Sequence, residues 1–298
     1  MSDLFLKTIK VALVVVVMLL VAGTSGAGPY RRIISLYPAH TENLFSLGLD
    51  REIIGVGTGD DYPPAVRGRN CFSYREDAER IIAARPDLVL IRPMIARGYP
   101  GLVEKLEKTG IRVVSLQPRS IDDMYAYWRK LGRLTGRESA AEAMIARFRQ
   151  EVAAFSSRVE KIPVSRRKKV YFEAIHRRMK TFAPGSMALF CLERAGGINV
   201  AADAPAVRNT NIAAYGKERI LAKAALIEVF LAQKGRMNRV SREMIVNEPG
   251  FSAIRAVREG KVYLVPEELV SRPTMRLLEG IGMIWEILYG SDTENGTE

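Results

Sequence analysis

Histidine, cysteine and tryptophan are almost missing from this chain, each occurring only twice in 298 residues. With two histidines in all, and no grouping of His with carboxylates at ligand spacing, the sequence argues against a site for a bare metal ion. Paired CxxC and HExxH, two spacings that hold zinc, do not occur. Nor do the GxSxG turn that exposes a nucleophilic serine or the GxxxxGK[ST] loop that cradles phosphates. GVGTGD, Gly55 to Asp60, has alternate glycines but runs into DYPP rather than a helix, so it does not make the dinucleotide fingerprint. The absence of these motifs weighs against the enzyme classes that use them.

Acidic residues are also scarce, 33 against 45 Lys and Arg, for a formal charge of +12. The bases are spread over the whole length. They read either as a solvated basic surface or as attraction for an anionic ligand or membrane. A composition 48% hydrophobic and 26% charged is that of a globular protein with a real core.

Residues 1–27 read as an export signal peptide. Lys7 and Lys10 precede an apolar run from Val11 to Ala22, and the small residues Ser25 and Ala27 fit a cleavage site before Gly28. The run is shorter than the ~20 residues of a membrane-spanning helix. A lipoprotein leader would place Cys after LVAG, where this chain has Thr24, so the protein is expected to be periplasmic and free of a lipid anchor. Export, with no basic aromatic face, also argues against nucleic acid. Exported space permits a disulfide, but Cys71 and Cys191 lie in different halves and are expected to be buried thiols. Residues 291–298 are polar and are expected to form a disordered tail.

The rest is organised around Ser139 to Lys161, which contains no Gly or Pro and repeats apolar residues at helical spacing: Ala143, Ile145, Phe148, Val152, Phe155 and Val159. It predicts a helix of roughly 35 Å at ~1.5 Å per residue, long enough to join two lobes. Before it, strands at Arg31–Leu36, Ile53–Gly57, Leu88–Ile91 and Arg112–Leu116 alternate with helices, the first capped at Thr41. After it come strands at Lys169–Ala174, Leu226–Leu231 and Lys261–Val265, with helices at Met187–Arg194, Lys217–Lys223, Ser241–Val246 and Thr274–Tyr289. The predicted fold is α/β, two Rossmann-like lobes at 28–137 and 163–290 joined by the helix 138–162, with a ligand cleft between them. The halves share a plan: Glu79-Arg80-Ile81-Ile82-Ala83 and Glu218-Arg219-Ile220-Leu221-Ala222 each precede an apolar strand.

Taken together, ISLYPAHTENLFSLG, DDYPP, ERIIAARPDLVLI, the long helix, the second-half ERILA and SRPTMRLLEG resemble the helix-linked, class III periplasmic solute-binding proteins. These belong to ABC importers for ferric siderophores, haem and cobalamin, and the likeness covers essentially the whole mature chain. It implies a monomer with no cofactor of its own, a ligand held between the lobes, and one acidic residue on each lobe docking onto arginines of the permease. Those acids match Glu79 and Glu218, which also read as first-turn acids favoured by the helix dipole. A two-lobed chelatase-like enzyme is the alternative of another class, and the leader argues against it.

Strand ends name the candidate ligand residues. From the first lobe these are Tyr37, Asp60 with Asp61, Tyr62, Tyr74, Arg92 and Met94. From the second they are His176, Arg177, Met179, Arg208 with Asn209, Tyr215 and Arg272. Each has a structural alternative: Asp60 and Asp61 as turn residues before Pro63, Arg177 and Arg178 as solvated surface, a tyrosine as rim packing. Tyrosines offer stacking area and hard oxygen ligands, and arginines offer bidentate donors to carboxylates or catecholates. His176 is a candidate axial ligand to haem iron or cobalt, or a structural histidine. An iron(III) siderophore is the expected ligand, with a corrinoid or haem as alternatives. FSYRED and NIAAYG carry no tryptophan where the best-known cobalamin binder of this type has one, which weighs against cobalamin itself.

Overall fold

Runs such as Leu88–Ile91 are buried along their whole length, which requires helices on both faces and favours parallel pairing. The computed structural model describes residues 29–207 and 210–294. The expected leader and Arg208 with Asn209 therefore lie outside the described residues. The first lobe holds β1 (Ile33–Ser35), β2 (Ile53–Gly57), β3 (Cys71–Phe72), β4 (Leu88–Ile91) and β5 (Arg112–Ser115) in the order β3-β2-β1-β4-β5, all parallel.

The second lobe holds β6 (Lys169–Ile175), β7 (Lys180–Phe182), β8 (Ile198–Asn199), β9 (Ile212–Ala214), β10 (Val229–Lys234) and β11 (Val262–Pro266). Its order is β11-β10-β6-β7-β9, with β8 beside β6. β7 pairs antiparallel with both β6 and β9, a departure from the purely parallel plan; at three residues each, β7 and β9 carry too little periodicity to be read. The shared plan is visible in the topology. The six-residue helix Ala78–Ala83 leads into β4, between β1 and β5, and the six-residue helix Lys217–Ala222 leads into β10, between β6 and β11.

The linking helix spans Glu138–Glu160. Ahead of it, the helix Ile121–Thr135 opens with a capping box between Ser120 and Asp123 and ends at Gly136, whose φ of 64° is the left-handed turn that glycine adopts without strain. The buried side of the linking helix is Ala141, Met144, Ile145, Phe148 and Val159; Ala143 faces solvent, and Val152 and Phe155 are half-buried. Phe148 is fully buried. Its ring lies 5.5 Å from Trp128 and 6.1 Å from Tyr125 of the first lobe, and 6.3 Å from Phe190 of the second. One hydrophobic cluster therefore runs unbroken from Ile33 and Leu88 through Phe148 to Phe172 and Ile281.

A polar tie crosses the same boundary. Arg272 donates to Glu42 at 2.8 Å and to Asp61 at 3.3 Å, Arg276 stands 4.0 Å from Glu42, and Asn43 and the Trp128 indole both donate to the Pro273 carbonyl. The SRPTMR segment is thus where the second lobe is fastened to the first. Burial raises the Glu42 carboxyl pKa, against the pull of Arg272.

Several boundaries differ from the sequence reading. The first helix begins at Pro38, with Tyr37 in the cap position, so Thr41 lies inside it and donates its hydroxyl to Asp60 instead. β10 starts at Val229 rather than Leu226. The last helix spans Leu277–Glu294 and so continues into the segment expected as a disordered tail. Both cysteines are free; Cys191 is buried as expected, but Cys71 is exposed. Among the described residues no helix is long and apolar enough to cross a membrane.

Phe148→Ala removes the ring that three aromatics from both lobes surround. It should lower the unfolding free energy by about 3–5 kcal/mol, read as an earlier denaturant midpoint by tryptophan fluorescence. A change within about 0.5 kcal/mol would show that the lobes do not depend on this contact.

Candidate ligand-binding site

In parallel sheets the loops leaving the C-terminal strand ends converge, and here both sheets present those loops to one cavity of about 490 Å³. β1 delivers Tyr37, β2 delivers Gly57 to Asp60, β3 delivers Ser73 to Arg75, and β4 delivers Arg92 and Met94. From the opposite lobe, β10 delivers Arg236 and Met237, and β11 with its short following helix Glu267–Val270 delivers Glu267, Ser271 and Arg272. The cavity size falls within the range of small-molecule sites, roughly 300–1,000 Å³.

Six of the residues named from the sequence meet in this cavity: Tyr37, Asp60, Tyr74, Arg92, Met94 and Arg272. Tyr37 is half-buried with the Arg92 guanidinium 5.1 Å from its ring centre. Desolvation raises its phenol pKa while Arg92 pulls it down, so Tyr37 acts as a neutral hydrogen-bonding group at ordinary pH. Tyr74 packs edge-on against Tyr99 at 5.0 Å, giving the first-lobe wall an aromatic face. Asp60 accepts from Thr41 and from the Gly57 amide at 3.3 Å, and burial pushes its carboxyl up to about 6.

Five others are placed elsewhere. His176 is only 4% exposed. Its Nδ1 lies 2.9 Å from Glu173 and its Nε2 3.7 Å from Glu248, so both nitrogens face carboxylates and neither is presented to the cavity as a metal ligand. Tyr215 is buried against Tyr171 at 5.8 Å, with the Arg219 guanidinium 4.5 Å from its ring centre. Met179 packs against the second-lobe core. Tyr62 lies under Arg276 at 4.3 Å, in a groove walled by the linking helix. Arg177 lines a neighbouring depression of about 530 Å³ that shares Met237 with the main cavity. Arg208 lies outside the described residues.

Arg75, Arg236, Glu267 and Ser271 were not named from the sequence. Arg236 was hidden by the strand boundary: with β10 running to Lys234, the loop at its cleft end is Gly235 to Met237. Its guanidinium crosses to rest against Gly59 of the first lobe, and a methyl group there would displace it. Arg236 has no ion-pair partner among the described residues, whereas Arg272 is already paired to Glu42 and Asp61. The cavity thus carries four arginines against Asp60 and Glu267, with aromatic surface between them. Among the described residues no three His, Cys, Asp or Glu side chains gather as a metal site.

The chain is 25% identical over 262 residues to an uncharacterized ABC transporter substrate-binding lipoprotein, YvrC, of Bacillus subtilis, covering 87% of this chain and 80% of that one. It is 25% identical over 270 residues to the vitamin B12-binding protein of Vibrio campbellii, covering 87% and 90%. A crystal structure of a possible iron-binding, periplasmic solute-binding protein from Staphylococcus epidermidis superposes with a TM-score of 0.75 at 28% identity, over 87% of this chain and 99% of that one. A family model described as periplasmic binding protein matches residues 33–269, and this chain belongs to that family.

Proposed function

We propose that this protein is the substrate-binding component of an ABC importer, and that it captures an iron(III) chelate of siderophore type for delivery to a permease. The interlobe cavity carries the argument. Arg75, Arg92 and Arg236 line it without the carboxylate pairing that neutralises Arg272; Arg92 is half-buried and Arg75 and Arg236 are exposed, so together they offer planar donors to an anionic ligand entering the cleft. Metal arriving already chelated needs no protein ligands, in keeping with a cavity walled by Arg, Tyr and Met. The ligand is held and released unchanged. A haem or corrinoid is the second reading, favoured by Tyr74, which lines the cavity and offers aromatic surface to a flat macrocycle, and by the Vibrio relative's name. Periplasmic location after loss of the leader belongs to the same proposal.

The permease side rests on Glu79 and Glu218. Both are exposed, and each stands in the first turn of its six-residue helix at matching places in the two lobes. Two carboxylates so presented suit a pair of arginines on a permease.

Absorbance and tryptophan-fluorescence titration of the mature chain with haemin, hydroxocobalamin and a panel of ferric siderophores should give one saturable one-to-one response. Arg92→Ala should weaken it about tenfold, the loss of a charge-assisted hydrogen bond. Silence toward the whole panel would contradict the proposal. Reversing both acids, Glu79→Arg with Glu218→Arg, should abolish uptake in cells carrying the cognate permease while leaving the titration unchanged. Full uptake by that variant would remove the docking assignment.

A further inference from the structure

A chain of charged groups in the second lobe, buried at Glu173 and His176 and half-buried at Glu248 and Lys217, lies outside the cavity, yet it connects the neighbouring wall to the docking helix. β6 ends at Ile175 and turns through His176 to Arg178, and Ile175, Arg177 and Arg178 line the depression beside the main cavity. From the same turn, His176 holds buried Glu173 on Nδ1 and faces Glu248 on Nε2. Glu248, which follows the helix Arg242–Val246, is in turn ion-paired to Lys217. Lys217 is the first residue of the helix whose next residue is Glu218. A second tie runs in parallel: the Gly216 amide, in that helix's cap position, donates to the Met179 carbonyl at 3.0 Å. The turn itself is pinned, because the His176 amide donates to Asn238 at 3.0 Å and Met179 sits at a φ of +46° that a side-chain-bearing residue rarely adopts.

We propose that His176 is a positioning residue for the permease-docking turn: through Glu248 and Lys217 it fixes Glu218 against the cleft end of β6. This rests on the docking role of Glu218. Among the described residues no comparable buried chain reaches the helix Ala78–Ala83, whose Asp77 cap is held by exposed Lys105 at 3.4 Å and whose Arg80 lies over the Phe72 ring of the cavity wall. The two docking helices are therefore anchored differently, the first through Arg80 and Lys105 and the second through a histidine.

The groups facing the imidazole are Glu173 from its own strand, Glu248 from the loop after Arg242–Val246, and Lys217 from the docking helix. The hydrogen bond to Glu173, opposed by desolvation, raises the His176 pKa above its usual 6.5. The cationic ring and its hold on Glu248 are thus fully present below about 6.5 and are lost as pH rises through the raised folded value. Glu248 then loses its cation partner on the β6 side.

Hydrogen–deuterium exchange of the full mature chain, corrected for intrinsic base catalysis, tests this. In the parent protein, exchange at residues 216–222 should accelerate as pH rises through the His176 transition, while residues 78–83 show no such step. His176→Gln, which keeps a donor toward Glu173 but carries no charge, should exchange about tenfold faster at 216–222 at low pH and abolish the step. Lys217→Gln, which leaves the His176–Glu173 pair intact, should loosen the same residues and guards against a misfolded His176 variant. Parent-like protection at 216–222 in both variants, or an equal rise in both helices, would overturn the proposal. Failure of the docking reading is seen separately, as full uptake by Glu218→Arg.

Discussion

Everything about this molecule's mechanics follows from one aromatic contact. Phe148, midway along the linking helix, is enclosed by Trp128 and Tyr125 from one lobe and Phe190 from the other, so the lobes share a single core. Separating them would expose that core, at a cost that scales with the apolar area uncovered. The Glu42–Arg272 pair and the Pro273 carbonyl add directional bonds at the same boundary, and breaking one partner of a buried pair is costly. Large opening and closing motions are opposed by both terms, which leaves a preformed cavity whose walls adjust by side-chain movement.

That rigidity governs the electrostatics. Under the proposed function, an anionic ligand entering the cleft would meet Arg92, half-buried over the Tyr37 ring, together with exposed Arg75 and Arg236. Arg272 is the exception, since its charge is spent on Glu42 and Asp61; it serves the fastening of the lobes while contributing a wall to the cavity. Asp60 runs the other way. Its carboxyl, lifted to about 6 by burial, holds much of its population neutral in mildly acid conditions, which would soften its repulsion of the anionic ligand proposed above.

The fold was legible because its signals are long or physically forced. A stretch of more than twenty residues without Gly or Pro has few alternatives to a helix, and runs such as LVLI between helices have few alternatives to buried parallel strands. What was lost depended on pairing. β10 takes its register from β6 and β11, so the apolar run that begins at Leu226 misleads about where the strand stops, and Arg236 was missed in consequence. Strand-end logic did find His176 and Tyr215 near the right loops, but it is blind to side-chain direction. Glu173 draws the histidine inward, and Tyr171 and Arg219 enclose the tyrosine. Tyr37, Arg92 and Arg272 were found because β1, β4 and β11 end within one residue of where the sequence placed them, although a short helix stands between β11 and Arg272.

The claim that the two lobes form one mechanical unit is tested most directly by a spin-label distance between them. Nitroxides at Lys108→Cys in the first lobe and Ser252→Cys in the second, both exposed positions, would be measured in a Cys71→Ser background by double electron–electron resonance. A shared core predicts one narrow distance distribution in the free protein, moving by less than about 2 Å on saturation with ligand. A broad or two-peaked distribution, or a larger displacement, would contradict the account and make the lobes independent bodies on a flexible joint.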